Sequence, residues 1–148
     1  MFRVVLDSNV LARAVMSPNG LAADLLKRLV QSENQLCTSD FMLSELVRVL
    51  SYPRLQKRHK LDDQMIANLV RSIQQLSIVI EVKVQSAPQV TRDVNDDPVV
   101  ETAIRSSSKY LCTLDKDILA TEVMRYCESH GVTVLNDLAL LNTLRDAD

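Results

Sequence analysis

Short apolar runs alternate along this chain with longer segments whose apolar positions recur every three or four residues. Phe2–Leu6 is a continuous Val-rich run, the pattern of a strand buried on both faces. It ends in Asp7-Ser8-Asn9, a cluster suited to capping a helix. Ser17-Pro18-Asn19-Gly20 reads as a turn. The segment LAADLLKRLV then sets Leu21, Leu25, Leu26 and Leu29 on one helical face. Leu36–Thr38 predicts a short strand. Ser39-Asp40 caps a helix through FMLSELVRVL, with Leu43, Leu46, Val47 and Leu50 inward and Pro53 stopping it. Asp62 or Asp63 caps an amphipathic helix over QMIANLVRSIQQL, and the β-branched run Ser77–Val82 predicts a strand. Lys83–Asn95 reads as the longest loop. Asp96-Asp97-Pro98 opens the next helix, with Pro98 in its first turn. Tyr110–Thr113 predicts a strand, followed by a helix from Asp115 to about His130 that Gly131 ends. Val132–Leu135 is the last strand, and Asp137 caps a final helix.

Strands that alternate with helices imply parallel pairing and crossover connections. The pattern therefore predicts an α/β fold: a three-layer α/β/α domain around a central, mostly parallel sheet. No boundary interrupts it, so residues 1–148 are read as one domain, a usual size for one.

Composition narrows the chemistry. Aromatic residues make up only 3% and Trp is absent, which argues against a base-stacking platform. The net charge of −2 means that any nucleic-acid contact uses a local patch. Cys37, Cys112 and Cys127 are odd in number and widely spaced, a pattern of neither a disulfide framework nor a zinc site. They fit a reducing cytoplasm. The apolar start is too short for a signal peptide, and no segment has the length of a membrane span.

The informative acids stand at strand ends. Asp7 ends the first strand, and Asp115 ends the Tyr110–Thr113 strand, with Asp117 two residues on. In an open parallel sheet, ligands sit beyond the carboxyl ends of the strands, so Asp7 and Asp115 share one rim. Asp97, at a helix start, and Glu45, in the helix after the Cys37 strand, can reach it. Capping is the ordinary reason for Asp before a helix, and Glu45 taken alone reads as a solvated helical residue. Several acids on one edge, however, repel one another unless cations neutralise them. Mg²⁺ or Mn²⁺ suits such oxygen ligands and supports phosphodiester hydrolysis. His59 and His130 lie in no zinc-like cluster.

These residues resemble a family. VVLDSNVLARAVMSPNG is similar to the opening of PIN domains. TSDFMLSELVRVLSYPRLQKRH resembles the family's second block, with Glu45 at its helical Glu. RDVNDDPVVETAIRSSSKYLCTLDKDIL resembles the third, with an Asp opening a helix and Thr-x-Asp after a strand. Ser8 stands where Thr is commoner. The resemblance spans nearly the whole chain and looks most like toxin components of toxin–antitoxin pairs. It implies a PIN fold, an Mg²⁺- or Mn²⁺-dependent endoribonuclease acting on RNA, a homodimer and a cognate antitoxin partner. It implies Asp7, Glu45, Asp97 and Asp115 as catalytic residues and Asp7, Asp97, Asp115 and Asp117 as metal ligands. Asn9 and Thr113 match supporting polar positions. Asp93, Asp96 and Asp97 all lie near the third acidic position. Asp97 is preferred, because Val99, Val100 and Ala103 then follow it as in the family helix.

The basic stretch Arg54, Lys57, Arg58, His59 and Lys60, with Arg48 before it, is the candidate phosphate-binding patch. It reads equally as a solvated connector. Two other readings stand beside the nuclease. One is a receiver-like module, for which Asp40 is the loose acceptor candidate. The other is a non-catalytic PIN-like module that acts through protein partners.

Overall fold

The computed structural model describes residues 1–83 and 89–147. Residues 84–88 of the Lys83–Asn95 segment, read above as a loop, lie outside the described residues.

The strands are β1 (Arg3–Leu6), β2 (Gln35–Ser39), β3 (Ser77–Ile80), β4 (Tyr110–Cys112) and β5 (Thr133–Leu135). They form a parallel five-stranded sheet in the order β3-β2-β1-β4-β5. From β1 the chain winds outward through β2 to β3. It then crosses back and lays β4 on the other side of β1. The order thus reverses between β1 and β4, where open α/β sheets place their ligands. There Leu6 pairs with Cys112, and Asp7 N–H donates to the Cys112 carbonyl at 2.8 Å.

Alternation along β1 divides the core. Val4 and Leu6 join one cluster, with Leu25, Leu29, Leu46, Leu50, Ile66 and Leu140. Val5 points to the other face, with Val99, Val100, Ala103, Leu111, Val123 and Val134. Successive side chains of a strand take opposite faces, so a strand buried on both needs consecutive apolar residues, as β1 has over Val4–Leu6.

The helices on the first face are α1 (Ser8–Met16), α2 (Leu21–Gln31), α3 (Asp40–Leu50), α5 (Asp63–Leu76) and α8 (Asp137–Asp146), and those on the second are α6 (Asp97–Arg105) and α7 (Thr121–Ser129). Ser39 caps α3 by accepting Met42 N–H at 3.3 Å, and Asp62 caps α5 by accepting Met65 N–H at 2.8 Å. Gly131, at φ 81°, follows α7 in the left-handed region where glycine costs least.

Four local expectations differ from the structure. Val47 is 38% exposed rather than inward, because α3 buries the narrower stripe of Met42, Leu43, Leu46 and Leu50. The basic stretch is no loop: Pro53 opens a further helix, α4 (Pro53–His59), in which its fixed φ and missing N–H suit the first turn. α7 starts only at Thr121. Asp117 N–H donates to Asp115 Oδ1 at 2.8 Å, and this side-chain turn replaces the helical start. The cap of α8 is Asn136, which accepts Ala139 N–H at 2.9 Å, so Asp137 is its first residue.

Candidate metal centre

Asp7 leaves β1 at the switch point and caps α1. Its Oδ1 accepts Ser8 N–H at 2.7 Å, with the Ser8 hydroxyl at 3.4 Å. Its Oδ2 accepts the Thr113 hydroxyl at 2.8 Å, across from the end of β4. That same hydroxyl oxygen accepts Asp115 N–H at 3.0 Å. Thr113 therefore joins the Asp7 carboxylate to the Asp115 backbone amide through one atom. Asn9 adds a longer tie, its Oδ1 accepting Leu114 N–H at 3.4 Å. Burial raises the Asp7 pKa, the Thr113 and Ser8 hydrogen bonds pull it back, and the Asp115 charge adds to the rise.

Beyond this pair three carboxylates converge. One oxygen each from Asp96, Asp115 and Asp117 lies within 4.8 Å of the other two, and all three residues are half-buried. The Asp96 pKa rises to about 7, through burial first and then the charges of Asp115, Asp93 and Asp7. Mg²⁺–oxygen bonds of about 2.0–2.1 Å hold ligand oxygens no more than ~4.2 Å apart. The trio is close to that spacing and offers only hard oxygen donors. The donor set fits a divalent hard cation.

The structure distributes the sequence-derived residues unevenly. It brings together Asp7, Asp115, Asp117, Thr113 and Asn9. At the third acidic position it is Asp96, not Asp97, that enters the trio. Asp97 is 1% exposed, and its Oδ1 is taken by Val90 N–H, Thr91 N–H and the Thr91 hydroxyl at 2.9, 2.7 and 2.8 Å. Glu45 is likewise not part of the trio. Arg48, one turn along α3, takes both its oxygens, at 3.2 and 2.6 Å, and also bonds the Tyr52 hydroxyl. One rim acid played no part in the sequence argument beyond capping. Asp137 follows β5, is 6% exposed, accepts Leu138 N–H at 2.9 Å and lies 3.7 Å from Arg13. Its charge, with that of Asp7, helps raise the thiol pKa of Cys112, although burial contributes most. A strand end followed by Asp was the available signal, the same one that marked Asp7.

Arg54, Lys57 and Arg58 are exposed on α4, and Lys60 is its left-handed cap at φ 61°. None of the four has an ion-pair partner among the described residues. α4 packs against α1, which Asp7 caps, and α3, which carries Glu45. His59 fastens it. Leu61 N–H donates to its Nδ1 at 2.9 Å, so Nε2–H donates to the Leu50 carbonyl at 2.9 Å.

The chain is 25% identical over 118 residues to the uncharacterized protein MJ1680 of Methanocaldococcus jannaschii, covering 80% of this chain and 74% of that one. Among solved structures, it is similar to a chain of VapBC2 from Rickettsia felis, crystallised bound to a DNA fragment from their promoter. The TM-score is 0.59 at 15% identity, over 90% of this chain and 98% of that one, a likeness of fold. The family model described as the PIN domain matches residues 3–117, from β1 through the Asp115–Asp117 turn. The chain belongs to the PIN-domain family.

Proposed function

We propose that this chain is an Mg²⁺- or Mn²⁺-dependent endoribonuclease that hydrolyses RNA phosphodiester bonds. The observation that carries this reading is the convergence of Asp96, Asp115 and Asp117 on one point of the sheet's switch-point rim, with Asp7 buried behind them. Asp96, Asp115 and Asp117 hold the cation in this reading. When bound, it lowers the pKa of a water and offsets charge on the reacting phosphate. Thr113 fixes Asp7 against Asp115, and Asp117 N–H fixes Asp115 in turn, so the carboxylates are oriented before substrate arrives. The free cations of α4, Arg54, Lys57 and Arg58, with Lys60, supply the phosphate contacts that an acidic centre cannot. Glu45 joins the reaction only where Arg48 releases it.

The chain is further proposed to be the toxin of a toxin–antitoxin pair, in line with the R. felis VapBC2 likeness and with the block pattern of the sequence. Its cognate antitoxin is then a separate protein, and it works in the cytoplasm, where its free, buried thiols stay reduced. Among the described residues no helix is long and apolar enough to cross a membrane. A homodimer is proposed on the exposure of Met65 (51%) and Leu76 (57%), checked by light scattering.

The test is cleavage of a structured RNA panel by the purified chain. Cleavage is expected to need Mg²⁺ or Mn²⁺, to stop in EDTA, and to fall by about two orders of magnitude or more in Asp7→Asn. Cleavage that survives both EDTA and that substitution overturns the reading. Mn²⁺ binding without cleavage of any RNA points instead to a non-catalytic module acting through partners.

A further inference from the structure

Asp96 and Asp97 are neighbours in sequence and opposites in environment. Asp96 occupies the cap position of α6, yet its side chain bonds no amide of that helix. One of its oxygens lies within 4.8 Å of carboxylate oxygens of Asp115 and Asp117 instead. The usual work of a capping Asp, accepting free amides of the first turn, is therefore not done by Asp96. Asp97 does a different job. It is almost wholly buried, and its Oδ1 receives the amides of Val90 and Thr91 and the Thr91 hydroxyl. Thr91 is itself buried, and its hydroxyl also reaches the Asp93 carbonyl. That carbonyl in turn accepts Asp96 N–H at 2.9 Å, and Asp93 Oδ1 accepts Asn95 N–H at 2.9 Å. Residues 91–97 thus form a small closed loop, and Asp97 is the tie across its ends. Asp96 sits one residue from the tie. Close to it are the carboxylates of Asp115 and Asp117, with oxygens within 4.8 Å, so its position must be held by the chain when no cation is bound.

We propose that Asp97 is a positioning residue, not a ligand: its buried carboxylate clamps residues 90–91 to the first turn of α6 and so presents Asp96 to the metal centre. This rests on the metal reading above. The second oxygen sharpens the distinction. Asp97 Oδ2 is buried and has no hydrogen-bond partner among the described residues. An amide at this position keeps the accepting Oδ1 and puts its nitrogen where no bond existed. A ligand loses the charge that holds the cation, whereas a clamp keeps its accepting oxygen and bears only the cost of a buried amide nitrogen without an acceptor.

The experiment compares Asp96→Asn, Asp97→Asn and Asp97→Ala in the full chain. The readouts are Mn²⁺ affinity by calorimetry, and, in metal-free protein, amide exchange at Val90 and Thr91 and the ¹³C carboxyl resonance of Asp115. Asp96→Asn is expected to weaken Mn²⁺ by about tenfold or more, leaving the two amides protected. Asp97→Asn is expected to stay within about threefold of wild type in affinity and protection. Asp97→Ala is expected to lose about tenfold in both and to shift the Asp115 resonance as Asp96→Asn does. If Asp97→Ala does not fold, Thr91→Val replaces it: one of three donors is gone, and a partial loss of Mn²⁺ affinity is expected. Asp97→Asn as damaging as Asp96→Asn makes Asp97 a ligand and overturns the proposal. So does Asp97→Ala, or Thr91→Val in its place, with wild-type Mn²⁺ affinity. If the wild-type chain binds no Mn²⁺, the metal reading falls. The Asp115 resonance then decides the clamp alone, and an Asp97→Ala or Thr91→Val spectrum unchanged there refutes it.

Discussion

Replacing Asp96 by Asn should stabilise the metal-free protein and disable its metal response. Asp96 is held among like charges, and its pKa rises from 3.8 to about 7. An acid with a raised folded pKa binds more protons folded than unfolded, so stability falls as pH climbs between those two values. Asp96 is half-open to solvent, and with screening the repulsion amounts to ~1–2 kcal/mol. For a chain of this length that is a Tm gain of roughly 2–8 °C at pH 7.5 for Asp96→Asn. The assay is thermal unfolding in EDTA from pH 4 to 8. The wild type should lose stability across the window, and the variant should run flatter and above it at the alkaline end. With Mn²⁺ added at a hundred times its Kd, the wild type should gain about 2.7 kcal/mol, whereas the variant should gain little. An Asp96→Asn protein less stable than wild type at pH 7.5 in EDTA would refute the repulsion argument. An unchanged Mn²⁺ gain would refute the place of Asp96 in the site.

Thr113→Val removes the bridge between Asp7 and Asp115, and should cost about 1.5–3 kcal/mol in urea unfolding because one of its bonds goes to a carboxylate. The Asp7 pKa should rise further, since the Thr113 hydrogen bond lowers it, and Thr113→Ser should restore most of both. Lys60→Gly relieves a left-handed backbone at φ 61° and should stabilise by ~0.5–1 kcal/mol; a loss of stability would show that the Lys60 side chain contributes more than its backbone costs. Arg54→Ala with Lys57→Ala should weaken RNA binding at low salt. It should also make the slope of log K against log salt shallower by about 1.4, at roughly 0.7 per lost phosphate contact on single strands. An unchanged slope removes α4 from the RNA path.

The sheet was legible because its signal is local. Short β-branched apolar runs such as Val4–Leu6 suit a buried strand, and each strand stopped within a residue or two of its expected end. The strand-end acids were legible for the same reason: Asp7 follows such a run directly and Asp115 follows one three residues on. Elements fixed by competition between local options were harder. Pro53 reads equally as the end of one helix or the first turn of another, and the chain uses it as the second. The residues after Asp115 have helical periodicity, but the Asp115 carboxylate captures the Asp117 amide and spends the first turn on a side-chain bond.

Glu45 and the Asp96–Asp97 pair mark where periodicity stops informing. Glu45 lies on the right element, but what its carboxylate meets depends on Arg48 and Tyr52 having the reach to close over it, a matter of rotamers rather than of pattern. At the third acidic position the difficulty is angular. Neighbouring residues at a helix start differ by about 100° in direction, so one of two adjacent acids faces the rim and the other the core. Which does which depends on where residues 90–91 pass, a contact that periodicity does not report. Apolar positions after the helix start favoured Asp97, because Val99, Val100 and Ala103 continue its register. Register toward the core is the property of the clamp, however. The rim-facing acid must break that register, and so Asp96 is the one left free to meet Asp115.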